Sequence, residues 1–236
     1  EQYAALVERL QLDEEEFKRW QKCADLMYLP YDEELGIHPQ DDSFLYKDPI
    51  DVDAIPPEEI PLVRNWHPLT IWRYQVIKQA DVVLLQFLLG DQFTLEEKKR
   101  DYDYYEPKTT HDSSLSPSIY SIMAAEIGYH DHAYNYFMQT SRLDLDDYNK
   151  NTWQGVHTAC MAGSWMCIVN GFAGMRASNG TLSFKPTLPE KWHRYSFKIK
   201  FRGRQLEVSV EKDQTVYRLL SGPAMEVYHN GQPLTL

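Results

Sequence analysis

Cysteine is scarce in this sequence: three among 236 residues, at Cys23, Cys160 and Cys167. Their spacing suits neither a metal knuckle nor a redox pair, and an odd number gives no disulfide framework, so reduced thiols are expected. Positive charge is also in deficit, with 24 Lys and Arg against 35 Asp and Glu and a net charge of -11. That balance argues against nucleic acid or an anionic membrane surface as a partner. No apolar run reaches transmembrane length, the longest apolar helix lying near Val82 to Leu89. No secretory leader is recognised, which together with the thiols points to the cytoplasm. No repeat of fixed period is found. The chain starts Glu1-Gln2-Tyr3 without a Met, so it is expected to belong to a longer polypeptide.

What is present fits a folded protein. Hydrophobic residues make up 43% and charged residues 25%, ordinary values for a globular chain. Aromatics reach 13%, with 16 Tyr and 6 Trp, which suits sugar stacking as well as core packing. Up to about residue 176 the periodicity is helical. Asp13 to Tyr28 brings Phe17, Trp20, Ala24 and Met27 to one face behind an acidic first turn. Residues 30–66 hold six of the 13 prolines and read as a wrapping or functional loop. Helices are expected at about 68–89, 94–101, 117–128, 130–142 and 156–170. After Gly180 the period becomes two: Phe197, Ile199 and Phe201 alternate with Lys198, Lys200 and Arg202, and Leu206, Val208 and Val210 alternate with Glu207, Ser209 and Glu211. Gly203 marks the turn between those runs, and Asn230-Gly231 signals a second hairpin. The fold class is therefore α+β and multidomain: a helical part over 1–178 and a small antiparallel β domain over 179–236.

The candidate chemistry centres on Thr109-Thr110-His111-Asp112-Ser113-Ser114-Leu115-Ser116-Pro117. Ser116 is a suitable N-cap and Pro117 a suitable first helical residue, with Ile119, Ile122, Met123 and Ile127 at helical spacing and Gly128 as a stop. A helix N-terminus favours anions. The Ser113 and Ser114 hydroxyls with a donor from His111 complete a phosphate cradle; an ordinary Ser-rich turn with a cap is the plainer alternative. Lys78 and Gln79, about 100° apart on the 68–89 helix, border either solvent or a cavity. His157 opens a helix rich in small residues, Ala159, Ala162 and Gly163, which on its own is a packing feature. His38 and His67, each beside a proline, read as structural.

Three ordered blocks carry a resemblance. Tyr104 to Ser116 resembles the phosphate-site motif of the glycoside hydrolase family 65 disaccharide phosphorylases. Trp72-Arg73-Tyr74-Gln75-Val76-Ile77-Lys78-Gln79-Ala80-Asp81 and Gly155-Val156-His157-Thr158-Ala159-Cys160-Met161-Ala162-Gly163 look like the same family. The resemblance implies the later half of an (α/α)6 barrel followed by a C-terminal β-sheet domain. It implies phosphate binding by His111, Ser113, Ser114 and His157, and sugar binding by Lys78 and Gln79. The implied partners are an α-linked glucose disaccharide and inorganic phosphate as co-substrate, with no cofactor and no metal; a homodimer is expected.

Phosphorolysis needs one acid for the leaving oxygen and no general base, because phosphate is itself the nucleophile; an inverting hydrolase needs a second carboxylate to activate water. A His-Ser-Ser cradle where that base would stand therefore implies a glycosyltransferase-type phosphorylase that inverts an α-glucoside to β-glucose 1-phosphate. Glu106 lies inside the motif but is not the acid: in the family that Glu lies upstream of the region matched by Glu1, so no catalytic residue is expected in this chain and the chain alone is expected to be inactive. The block around Arg73-Tyr74-Gln75 leans toward the kojibiose and trehalose members over maltose phosphorylase. A family 65 hydrolase and a non-catalytic sugar-binding or assembly fragment remain open alternatives.

Overall fold

In the computed structural model, residues 3–178 and 180–236 are described. The boundary expected at 178/179 touches residue 179, which lies outside them, as do residues 1 and 2. The helical part runs α1 (Ala4–Leu10), α2 (Glu14–Asp25), α3 (Leu62–Asn65), α4 (Pro68–Ile71), α5 (Val82–Leu88), α6 (Leu95–Tyr105), α7 (Ser116–Ile127), α8 (His130–Arg142) and α9 (Thr158–Met166). A π-helical turn, Cys167–Phe172, continues α9.

Helix α7 is the axis of the core. Every residue from Ser116 to Ala125 is buried, as is Ile127. Its C-cap is Gly128 at φ 88°, a left-handed conformation that glycine adopts without steric cost. Helices α5, α6, α8 and α9 pack around it. The one residue of α7 that is not buried outright, Glu126, is satisfied by charge: Lys98 of α6 lies 2.7 Å away and Arg176 of β1 bonds its other oxygen. Between those cations the Glu126 carboxyl is held below the usual range despite its burial. The triad ties α6, α7 and the first strand together.

One expectation for the helices is met and one changes. Helix α2 forms, with Asp13 capping Glu16 N–H at 2.8 Å, but none of its residues is buried, and Trp20 and Met27 stay 49% and 68% exposed. The helix expected over 68–89 is broken between α4 and α5. Ile77 instead pairs in parallel with Thr109, its N–H donating to the Lys108 carbonyl and its carbonyl accepting from Thr110 N–H, both at 2.9 Å. Residues 30–66 form a wrapping segment with three single turns of 3-10 helix, pinned where buried Asp101 accepts from the His38 backbone and ring.

The β part holds two sheets. One is antiparallel, in the order β3 (Arg194–Phe201), β4 (Arg204–Glu211), β5 (Thr215–Ser221). Its first turn places Arg202 and Gly203 at φ 47° and 76°, as a tight hairpin requires. The other has the order β1 (Arg176–Ser178), β2 (Thr181–Phe184), β6 (Glu226–His229), β7 (Gln232–Thr235). Asn230 and Gly231, at φ 50° and 80°, make the β6–β7 turn. The purely antiparallel expectation fails at one pair: β2 and β6 are parallel. Parallel strands need a long crossover, and here the whole β3–β5 sheet is that crossover. Phe184 meets Tyr217 across the two sheets at 5.2 Å between ring centroids, and Trp192 packs against Phe137 and Phe172 of the helical part. Among the described residues no helix is long and apolar enough to cross a membrane.

Candidate functional site

The motif loop enters from α6 through a 3-10 turn at Glu106–Lys108. Thr109 is buried, and its hydroxyl bonds the Tyr105 carbonyl at 2.7 Å and the Tyr120 hydroxyl at 2.6 Å. His111 then turns the chain at φ 53°. A left-handed non-glycine residue costs about 1–3 kcal/mol, and it persists only where its surroundings hold it. The Asp112 carboxylate accepts from Leu62 N–H at 3.0 Å, and the Ser113 hydroxyl accepts from Leu115 N–H at 3.3 Å. The loop thus delivers Ser113 and Ser114 to the N-terminal end of α7.

Ser116 does not cap that helix as expected. Leu115 holds the cap position without a side-chain bond, and the Ser116 hydroxyl instead lies 3.0 Å from His111 Nδ1. His111 Nε2 lies 3.1 Å from the Tyr136 hydroxyl, which in turn is 2.7 Å from Glu106. Burial pushes the His111 pKa down to about 4, so the ring is neutral at neutral pH. Both ring nitrogens thus have hydrogen-bond neighbours inside the protein.

His157 is differently placed. It stands at the N-cap of α9, with its backbone N–H 2.9 Å from one oxygen of Asp144 and its Nδ1 2.5 Å from the other. That leaves Nε2 as the ring's outward position. The bonds from His157 hold the Asp144 carboxyl below its usual range. One turn on, Cys160 Sγ donates to the Ser114 carbonyl at 3.0 Å, tying α9 to the motif loop. Close approach of α9 to α7 depends on Gly163, where a Cβ would stand 2.8 Å from Ser118 Cβ. The packing role of the small residues and the proximity of His157 to the loop are thus parts of one arrangement.

Lys78 and Gln79 are not on a helix but in the extended segment between α4 and α5, directly after the Ile77–Thr109 bridge. The bridge brings Lys78 beside the motif: Lys78, Thr110 and Asp112 line the polar end of a cavity of about 300 Å³ whose walls include Leu62, Trp72 and Ile77. Gln79 precedes Ala80 and Asp81, and the Asp81 carboxylate accepts from Gln40 Nε2 at 3.3 Å. Within the cavity wall Asp112 Oδ1 is buried and has no hydrogen-bond partner among the described residues. Burial raises the Asp112 pKa, with the Leu62 and Thr110 bonds and the Lys78 charge pulling the other way. Asp112, Tyr136 and Asp144 are the polar residues that sequence reasoning missed; Asp112 at least sat inside the motif, while the other two come from α8 and the loop after it.

Comparison with known proteins matches the chain to a family. Residues 1–166 match the glycosyl hydrolase family 65 central catalytic domain and residues 175–236 the family 65 C-terminal domain. The chain is 52% identical to an alpha,alpha-trehalose phosphorylase of Thermoanaerobacter brockii over 236 residues, covering 100% of this chain and 30% of that protein. It is 44% identical to a maltose phosphorylase of Bacillus subtilis over 96% of this chain and 30% of that one. A solved structure of a human-microbiome protein, assigned by name to the kojibiose phosphorylases, superposes with a TM-score of 0.87 at 35% identity, covering 99% of this chain and 35% of that one. The chain thus spans about a third of the length of these relatives, and over that span it belongs to glycosyl hydrolase family 65.

Proposed function

We propose that this chain carries the phosphate cradle and part of the sugar site of an inverting α-glucosyl disaccharide phosphorylase. Ser113, Ser114 and His157 contact the phosphate at the N-terminal end of α7, and His111 shapes the loop that presents them. Lys78, beside Thr110 and Asp112, and the adjacent Gln79 face the transferred glucose. The phosphate oxygen attacks C1 of the glucosyl unit, the C1–oxygen bond to the leaving sugar breaks, and the leaving oxygen takes a proton from a general acid outside these 236 residues. One displacement on an α centre gives β-glucose 1-phosphate and free glucose. The helical residues to 178 then form the later half of an (α/α)6 barrel, with the residues from 179 as its C-terminal β domain. A cytoplasmic homodimer is the assembly we assign to the longer protein. Trehalose is the first disaccharide to test, given the 52% identity to a protein named for that activity.

The observation that carries this reading is the tie between the motif loop and α9, in which Cys160 holds the Ser114 carbonyl and Asp144 orients His157. The test joins residues 1–236 to the preceding segment of the Thermoanaerobacter brockii relative. The chimera should convert trehalose and phosphate to β-glucose 1-phosphate, followed by anomer-resolved NMR, while the 236 residues alone should bind phosphate without turnover. Release of two glucose molecules without sugar phosphate would mean hydrolysis and would remove the phosphorolytic reading. Release of the α anomer would remove direct attack by phosphate.

A further inference from the structure

We propose that Tyr136 and Glu106 are positioning residues that fix the His111 ring as a neutral, Nε2-protonated organiser of the phosphate loop, so that the ring itself is not a phosphate ligand. The inference rests on the phosphate reading above only for its consequence; the proton arrangement stands on the geometry alone.

The direction of each hydrogen bond follows from what each group can do. A carboxylate only accepts, so the Tyr136 hydroxyl donates to Glu106 Oε1 across 2.7 Å. The phenol oxygen then has only acceptor capacity left for its other neighbour. His111 Nε2, at 3.1 Å, must be the donor in that contact. A neutral imidazole protonated at Nε2 accepts at Nδ1, and there the Ser116 hydroxyl donates across 3.0 Å. The chain Ser116 → His111 → Tyr136 → Glu106 runs one way and is satisfied at every link. It joins the first residue of α7, the motif loop, α8 and the turn after α6.

The surroundings reinforce the arrangement. The ring is boxed between Tyr120 and Tyr136, each with its centroid 5.0 Å away. Burial disfavours the imidazolium. His132 also faces the network, its Nδ1 3.9 Å from Glu106 and 3.3 Å from the Tyr102 hydroxyl. His111 also carries the left-handed turn that aims Ser113 and Ser114. A ring locked on both nitrogens holds that turn against relaxation. A ring that donated to phosphate would have to release Tyr136, leaving a buried phenol with one bond fewer.

The test uses the 236-residue chain, inorganic phosphate and long-range ¹⁵N–¹H spectra of the His111 ring. The Nε2–H tautomer should be present without phosphate and should persist through saturation. Tyr136→Phe removes the acceptor for Nε2–H and should raise the phosphate Kd about tenfold, the worth of one buried hydrogen bond. Glu106→Gln keeps an oxygen for the Tyr136 hydroxyl and should preserve both tautomer and affinity. Glu106→Leu should let Tyr136 donate to Nε2 and invert the ring to the Nδ1–H tautomer, so this variant decides the point even if Tyr136→Phe fails to fold. A cationic or Nδ1–H ring in the unsubstituted chain, phosphate-dependent loss of the Nε2 bond, or an unchanged Kd in a folded Tyr136→Phe chain would each overturn the proposal. Absence of any phosphate binding by the unsubstituted chain would instead overturn the phosphate reading, with the tautomer still decided by its own spectrum.

Discussion

Acidification should destabilise this protein through His111. The pKa of the ring falls from 6.5 to about 4 on folding, because burial penalises its charged form. In the window between those values the unfolded chain binds a proton that the native state refuses. Stability therefore rises with pH across the window and is lost as pH falls from about 6.5 to about 4, with no further loss from this group below that. Each pH unit in the window is worth about 1.4 kcal/mol, so the loss reaches roughly 2 kcal/mol at pH 5 and about 3 kcal/mol at its lower end. Other groups add their own slopes. Glu126, held low between Lys98 and Arg176, contributes loss only at more acid pH, below the ordinary glutamate value. Asp81, Asp101 and Asp112 are raised by burial, so their native forms take up protons more readily and oppose the trend. A comparison isolates the imidazole. His111→Asn keeps a residue that tolerates the left-handed turn and removes the titration. Urea unfolding of both chains at pH 7, 6 and 5 should give a profile flatter by about 2 kcal/mol in the variant. Parallel profiles would show that His111 titrates alike in both states, and the argument for a buried neutral ring would fall with them.

Other substitutions probe the supports of the site. Gly163→Ala puts a Cβ 2.8 Å from Ser118 Cβ and 3.3 Å from Thr140 Cγ2; it should cost about 1–3 kcal/mol, and an unchanged urea midpoint would contradict the close α7–α9 packing. Glu126→Gln leaves Lys98, whose side chain is 6% exposed, without its ion partner, and should cost about 3–5 kcal/mol; a Lys98→Met, Glu126→Leu pair should recover much of that in the same assay. Asp144→Asn takes away the carboxylate that orients His157 and should weaken phosphate binding by calorimetry about tenfold, with the thermal midpoint little changed because Asp144 is a loop residue. Lys78→Ala, at an exposed position, should move stability by no more than about 0.5 kcal/mol while lowering the catalytic efficiency of the chimera on trehalose; wild-type kinetics would return Lys78 to an ordinary surface residue.

What could be read from the sequence was whatever the local chain decides. The spacing of Ile119, Ile122, Met123 and Ile127, closed by Gly128, is a property of one helix, and α7 is there with all four buried. The turns at Gly203 and Asn230-Gly231 are set by residues that tolerate positive φ, and both hairpins formed where those residues stand. Failures occur where a distant segment competes. Val76-Ile77 and the apolar run after it read as one helix with α4, yet the backbone of Ile77 is taken by residues 108–110, which puts Lys78 beside Thr110 by pairing and not by helical register. The parallel β2–β6 contact likewise joins residues more than forty apart in sequence. Helix α2 shows the converse: its amphipathic pattern correctly gave the helix but not a partner, because burial depends on what another segment brings to that face. The motif histidine unites these cases. Residue type and position beside two serines suggest a donor aimed at phosphate. In the fold its ring nitrogens meet Tyr136 from α8 and Ser116 from α7, with Glu106 from the turn after α6 behind Tyr136. Glu106 and Ser116 each lie five residues from His111 in sequence, but Tyr136, which links the ring to Glu106, lies twenty-five residues on. Where an imidazole is concerned, identity states what protons it can carry, but the partners that tertiary structure supplies decide where they point.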